Sequence, residues 1–404
     1  MTEGEFSTAA TAARAVRRQE NSVTERLSPL DAIHRAAGAT FTDFAGWQMP
    51  VRYSSDLAEH KAVRTAAGLF DLSHMGEIVV VGPEADRALD YALAGKLSAS
   101  AEGQAKYTLL LARHGGVIDD LVVYRTGADR YLVVANAANV AHVADELRAR
   151  TAPFDCEVFD ESDDMALIAV QGPKALDILT STAGFGIQGD GNDHDDFVDA
   201  VSGMKYYRAV AAEFAEQPVL VARTGYTGED GFELYVSPDQ APALWEALAE
   251  AGEAHGLVPA GLASRDTLRL EAGMPLYGHE LTRDTFPAQA GLGRVVALGK
   301  EVDFVGRAAS EEGPAADAPV LVGLASEGRR AGRAGYALFD GEGADASEAG
   351  VITSGALSPT LGHPIAMAYV APRHAATGTT LYVDVRGTRI AASVVDLPFY
   401  RREK

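Results

Sequence analysis

The chain has 404 residues, with 35 Lys and Arg against 57 Asp and Glu, a formal charge of −22 and 47% hydrophobic residues. That length and apolar content support two or three packed domains, and no apolar run is long enough for a membrane-spanning helix. The acidic balance excludes non-specific nucleic-acid binding, because a phosphate backbone would be repelled over most of the surface.

Residues 1–26 are rich in Ala, Thr, Glu and Arg and nearly free of large apolar side chains, so they read as a disordered tail. Glu3, Glu5 and Glu20 argue against a transit peptide, and there is no apolar signal core, so a cytoplasmic protein is expected. From Ser28 helices and strands mix. Residues 29–37 predict a short helix, and 78–81 a strand followed by a helix with Pro83 near its start. Residues 107–111 and 121–124 predict two strands joined by the turn His114-Gly115-Gly116. A strand at 130–134 and a helix at 138–150 follow. A related order then recurs, with a strand at 165–170 and a helix opened by Gly172-Pro173, but no fixed-period repeat is present. The lone Cys156 excludes an intramolecular disulfide and a thiolate zinc site, and it reads as a small hydrophobe. Residues 186–199 are acidic and contain glycine. They lack the ligand spacing of a calcium loop and read as a solvated loop that includes His194.

After about Gly313 the pattern changes. Short strand-like runs at 320–324, 335–339, 350–353, 365–370, 380–385 and 389–395 are separated by turn residues, with a hairpin tip at Arg386-Gly387-Thr388. Such spacing predicts a small β-barrel or sandwich beyond a linker at 311–319.

Chemistry is concentrated in two places. The run Arg223-Thr224-Gly225-Tyr226-Thr227-Gly228-Glu229-Asp230-Gly231-Phe232-Glu233 sets three glycines at a spacing of three before a strand. Glycines this dense mark a tight turn or a close ligand, and strand alternation then puts Glu233 and Tyr235 on one face and Phe232, Leu234 and Val236 on the other. No phosphate loop follows. In the second place, Asp119 and Asp120 stand between a glycine turn and an apolar strand. Alternation groups Asp120 with Val122 and Tyr124, and Asp119 with Leu121 and Val123, so one carboxylate looks into a given pocket. On the residues alone, both read as capping the turn and staying solvated.

The glycine run resembles the signature of the aminomethyltransferase family, the T-protein of the glycine cleavage system. Further blocks agree in the family's order: Asp43-Phe44-Ala45-Gly46-Trp47, Leu72-Ser73-His74-Met75-Gly76-Glu77, Gly116-Val117-Ile118-Asp119-Asp120, Gln171-Gly172-Pro173, Ala263-Ser264-Arg265-Asp266 and Leu276-Tyr277-Gly278-His279-Glu280. The likeness runs from about Leu27 to the C-terminus. It implies an α+β fold, with a folate-binding α/β region of two intertwined subdomains at 27–312 and a C-terminal antiparallel β-barrel at 317–404. The implied reaction moves a methylene group from an aminomethylated dihydrolipoyl carrier, the H-protein, to tetrahydrofolate. It releases ammonia and gives 5,10-methylenetetrahydrofolate, and tetrahydrofolate is the co-substrate with no metal required.

The resemblance assigns the catalytic carboxylate to Asp120, a folate-binding carboxylate to Glu233 and a folate-binding guanidinium to Arg265. A carboxylate can accept two adjacent pterin N–H groups, and an arginine can grip a carbonyl pair. On the residues alone Glu233 could be a strand-surface side chain, and Asp266 with Arg269 a plain helix ion pair. Tyr226, Asn136, Tyr107, Met75 and Tyr124 are further expected pocket residues, and Tyr400 and Arg401 match a C-terminal motif that can reach the folate site. His74 and His279 have no nucleophile motif beside them and are left out of the catalytic set. Two other readings belong to the same superfamily. A folate-dependent demethylase would carry a dinucleotide fingerprint, and an iron–sulfur maturation factor a Lys-Gly-Cys-Tyr block; neither occurs here.

Overall fold

The computed structural model of the protein describes residues 25–187 and 194–402. The tail expected at 1–26 lies outside them, apart from its last two positions. Two antiparallel sheets face each other. The first runs in the order Ala105–Leu111, Val117–Gly127, Arg130–Ala135, Gly76–Val81, Glu157–Asp160. The second runs Phe185–Ile187, Ala209–Phe214, Gln217–Ala222, Gly231–Val236, Ala166–Gln171, Ala67–Asp71, and is edged by the parallel strand Leu257–Pro259.

The chain passes from the second sheet to the first through residues 72–75 and returns at Ala166, so the two units interleave. Each unit uses the same device. A strand ends at a glycine with φ of 145° (Gly82) or 140° (Gly172), Pro83 or Pro173 follows, and a short helix begins at Ala85 or Ala175. Helices Ala85–Ala92 and Val140–Thr151 cover the outer face of the first sheet, where Leu89 and Leu147 meet Ile78, Leu121 and Val133. Helices Ala175–Ser181, His194–Ser202 and Ala241–Gly252 cover the second, burying Ile178, Phe197 and Leu244 against Ile168 and Leu234. Between the sheets lies a third core of Val79, Tyr124, Leu132, Leu167, Ala169 and Tyr235. Period-2 alternation produces this layering, since Val80 and Leu234 point outward while Val79 and Tyr235 point inward.

The C-terminal part is a closed six-stranded barrel with antiparallel neighbours, in the order Val320–Ser326, Pro364–Val370, Glu348–Leu357, Ala337–Phe339, Thr380–Val385, Thr388–Val395. The expected tip is a two-residue turn, Arg386 and Gly387, both with positive φ, between the paired Val385 and Thr388. Closure leaves the barrel no free edge.

The acidic stretch at 186–199 is not wholly a loop. Ile187 ends a strand, and residues 194–199 lie in the helix His194–Ser202. Phe197 and Val201, four apart, bury one helical face against the sheet, and that apolar pair outweighs the acidic composition. His194 is tied rather than solvated, with its ring nitrogens 3.1 Å from the carbonyl oxygens of Phe185 and Thr180. Residues 188–193 lie outside the described residues. Among the described residues no helix is long and apolar enough to cross a membrane.

Candidate active site

The strand Val117–Gly127 enters the first sheet directly after the His114-Gly115-Gly116 turn. Its side chains alternate as expected: Leu121 and Val123 lie under the outer helices, while Val122 and Tyr124 lie between the sheets. Asp119 follows the outer set, is 0% exposed, and meets the segment that opens the helix Val140–Thr151. Its Oδ1 accepts from Asn136 Nδ2 at 2.8 Å and Asn139 Nδ2 at 2.9 Å, and its Oδ2 from the Asn136 backbone N–H at 3.1 Å. Asp120 follows the inner set. It accepts from Tyr107 Oη at 3.0 Å and Asn136 Nδ2 at 2.9 Å. The reading that both carboxylates stay solvated at the turn is therefore wrong: Asp119 is buried against the amides of Asn136 and Asn139, and Asp120 is half-buried against Asn136 and Tyr107. Burial pushes the Asp119 carboxyl up to about 7, and the Asp120 charge adds to it. Burial also raises Asp120, against the bonds from Tyr107 and Asn136. The phenol of Tyr107 is raised well above its ordinary value by burial and the neighbouring Asp120.

The opposite wall comes from the second sheet. Glu233 pairs in register with Ala169 and Ala222 and faces inward. Its Oε2 accepts from Thr224 Oγ1 at 2.5 Å and Tyr124 Oη at 3.3 Å, and Tyr235 Oη donates to Tyr124 Oη at 3.3 Å. Tyr124 thus joins the two walls. The glycine density has a steric cause: a Cβ on Gly225 or Gly231 would stand 1.9 or 2.3 Å from the Gln171 side-chain amide. That amide threads the turn, donating to the Thr224 carbonyl at 3.0 Å and accepting from Thr227 Oγ1 at 3.0 Å.

Arg265 sits on the helix Leu262–Glu271, and the ion-pair reading of this helix belongs to Arg269. Arg269 holds Asp266 at 2.7 Å, Glu280 at 3.0 Å and Ser354 Oγ at 2.8 Å. Glu271 closes the other end of the helix. It accepts from Ser358 Oγ at 2.5 Å, Thr360 Oγ1 at 2.7 Å and Arg64 Nη2 at 2.8 Å, and lies 3.1 Å from His60 Nε2. With its neighbours committed elsewhere, Arg265 has no hydrogen-bond or ion-pair partner among the described residues. Its guanidinium lies 4.9 Å from the centre of the Tyr226 ring, and its Nη1 is buried and unpartnered among them. Burial lowers its pKa, with the charge of Glu233 opposing. Tyr226 donates its hydroxyl to the Pro275 carbonyl.

Asp120 with Tyr107 and Asn136, Glu233 with Tyr124, and Arg265 with Tyr226 form three contacting groups, close enough that Tyr226 feels the charge of Asp120 and Arg265 that of Glu233. Met75 packs into the inter-sheet core. Tyr400 and Arg401 lie elsewhere along the glycine turn, lining a groove of 770 Å³ with Gly228, Asp230 and Met274. The Tyr400 ring covers the Arg64 guanidinium at 4.1 Å. His279 is a surface residue with Nδ1 2.9 Å from the Thr353 carbonyl oxygen. Sequence reasoning missed Thr224, Tyr235 and Asn139 as partners of the site carboxylates. Thr224 lies inside the glycine run and Tyr235 on Glu233's face, so both carried a signal. Asn139 carried none.

Such a pocket offers a half-buried carboxylate for a developing positive charge or a departing proton, and a separate carboxylate–guanidinium pair for a flat polar ligand. Residues 30–300 match the family model of the GCVT N-terminal domain, and residues 320–401 that of the glycine cleavage T-protein C-terminal barrel domain. The chain is 59% identical over 379 residues to the aminomethyltransferase of Cutibacterium acnes, covering 94% of this chain and 99% of that protein. It is 55% identical over 384 residues to that of Streptomyces coelicolor, covering 94% and 98%. The crystal structure of the glycine cleavage system aminomethyltransferase T from Bartonella henselae aligns with a TM-score of 0.83 at 37% identity, covering 94% of this chain and 100% of that one. Matched along nearly its whole length in sequence and in fold, the chain belongs to the aminomethyltransferase family, the T-proteins of the glycine cleavage system.

Proposed function

We propose that in this glycine cleavage aminomethyltransferase Asp120 carries the transfer step, and that Glu233 with Arg265 seats the tetrahydrofolate co-substrate. One observation carries the reading. Asp120 is held inside the pocket by a phenol and an amide, and by no arginine or lysine among the described residues. Its negative charge is left for the reacting centre. The transferred carbon carries both nitrogen and sulfur, so losing either makes it electrophilic. A carboxylate fixed by two hydrogen bonds stabilises that charge with little reorganisation. The same oxygen can take the proton that leaves the attacking nitrogen, and burial, which raises its pKa, makes it a better base than an exposed carboxylate.

Tetrahydrofolate supplies the nucleophilic ring nitrogen. The fit of this chain to it rests on two groups: the unpartnered Arg265 Nη1 and the Glu233 carboxylate. Among the described residues Glu233 is hydrogen-bonded only by hydroxyls, of Thr224 and Tyr124, and can accept paired N–H groups. Tyr226, whose ring lies against Arg265, forms a flat wall, with Met75, Tyr107 and Tyr124 around it. Asn136 spends its amide N–H groups on Asp119 and Asp120, so toward a ligand it offers only its oxygen. Tyr400 and Arg401 are assigned to the outer end of the same ligand. The carbon donor is the lipoyl-bearing H-protein, whose arm must bring its sulfur to Asp120. The folate-binding unit is taken as 27–312, the barrel as 317–404, and the location as cytoplasmic.

The direct test is ammonia release from aminomethylated lipoyl carrier, with and without tetrahydrofolate. Folate-dependent release supports the reading. Release that is equally fast without folate contradicts it.

A further inference from the structure

His74 is 3% exposed and, among the described residues, makes no hydrogen bond through its ring; its Nδ1 is buried without a partner. A buried polar group left unpaired is costly, and such groups in folded proteins call for a specific explanation. Structural partners are close but committed. Asp71 gives Oδ2 to Ser28 and His34 and Oδ1 to the Ser73 backbone N–H. Phe44, at the tip of the hairpin Thr40–Phe44 and Trp47–Arg52, meets the His74 ring edge-on at 5.0 Å and fixes its plane without satisfying a nitrogen.

The position is informative. His74 lies in the crossover 72–75 where the chain leaves the second sheet for the first, so it stands where the two sheets part. Its neighbour Arg265 is the other unpartnered buried donor of the site. Burial and the Arg265 guanidinium hold the imidazole down to about 4, although Asp71 pulls the other way. His74 is therefore neutral at physiological pH and keeps a ring N–H to donate. Arg265 only donates.

We propose that His74 is a specificity-determining residue that, beside Arg265, donates a hydrogen bond to the ring carbonyl of the bound folate while Glu233 takes the adjacent N–H groups. The inference rests on the folate reading above and adds to it. A pyrimidinone edge alternates acceptor and donors. Glu233 serves the donors, and the carbonyl needs donors facing it. A neutral histidine supplies one without setting a second cation against Arg265.

The test compares two probes by calorimetry: 5-formyltetrahydrofolate, which bears the 4-oxo group, and a folate analogue with a 4-amino group in its place. In His74→Phe the 4-oxo ligand should bind about ten-fold more weakly. The 4-amino ligand, which offers no acceptor there, should bind as it does to the wild type. His74→Gln keeps a donor and should recover part of the loss, and it also serves if the Phe variant does not fold. Equal losses for both probes, or none for either, in folded His74→Phe and His74→Gln overturn the proposal. If Arg265→Ala and Glu233→Gln also bind 5-formyltetrahydrofolate as the wild type does, the folate reading fails. If those two variants weaken binding while the probe ratio of the His74 variants is unchanged, only the His74 inference fails.

Discussion

On the wall built by the first sheet, Asp119 and Asp120 are held by the amides of Asn136 and Asn139 and the phenol of Tyr107; around the helix that carries Arg265, the carboxylates Asp266, Glu271 and the later Glu280 are held by Arg269 and Arg64. The pKa values follow. Asp119 is driven up to about 7 by burial and by Asp120. Glu271 is buried too, but the bonds from His60 and Ser358 and the Arg64 charge bring it down to about 2. Neutral donors leave the first wall with charge to spend on a reaction. Ion pairs make the second a rigid frame for Arg265, which is proposed to recognise the ligand together with Glu233 on the facing strand. On the proposed assignment, the difference separates chemistry from recognition in one pocket.

The largest expected effect is on the first wall. Asp120→Asn should lower kcat by about 10²–10⁴-fold or more, because a general acid–base group and a charge stabiliser are lost together. Folate affinity should change little. A similar kcat loss in Asp119→Asn would erase the distinction between the neighbours.

Next comes the frame of the second wall. Glu271→Ala removes the buried carboxylate from His60 and leaves Arg64 with Glu229 alone, and should cost about 3 kcal/mol of stability, read as a fall in Tm. An unchanged Tm would show that the ion pairs do not support the Arg265 helix.

Arg265→Ala and Glu233→Gln should weaken folate binding by about ten- to a hundred-fold, the worth of one charge-assisted bond at roughly 1.5–3 kcal/mol. The kcat at saturating folate should be largely kept. Calorimetry with unchanged affinity in either variant would return that residue to a structural role.

The smallest effect is a slope with pH. Asp119 has a folded pKa raised from 3.8 to about 7, so the stability it contributes is complete below 3.8 and is lost as pH rises through about 7. Asparagine does not titrate. The Tm of the wild type should therefore fall relative to Asp119→Asn between pH 4 and pH 7, and a pH-independent difference would contradict the buried environment assigned to Asp119.

Much of this was legible in the residues. Regular short runs past Gly313 gave all six barrel strands, and alternation gave the correct faces of Asp119, Asp120 and Glu233 before any coordinate. Burial was not legible. Asp119 and Asp120 look solvated beside a glycine turn until Asn136 and Asn139, some sixteen to twenty positions on, are brought over them. The helix His194–Ser202 was hidden because its acidic residues dominate composition while two apolar side chains decide its packing. Arg265 was separable from Arg269 only through the family resemblance, since both stand on one short helix. Which of them is free depends on Glu280 and Ser354, which fold back from later in the chain.

The most direct measurement pairs single-turnover ammonia release at saturating tetrahydrofolate with folate calorimetry, on Asp120→Asn and Arg265→Ala side by side. The account predicts a crossed result: Asp120→Asn binds folate normally and fails to turn over, while Arg265→Ala binds weakly and turns over once saturated. Parallel losses of rate and affinity in both folded variants would contradict the division of the pocket into a reacting wall and a recognising wall.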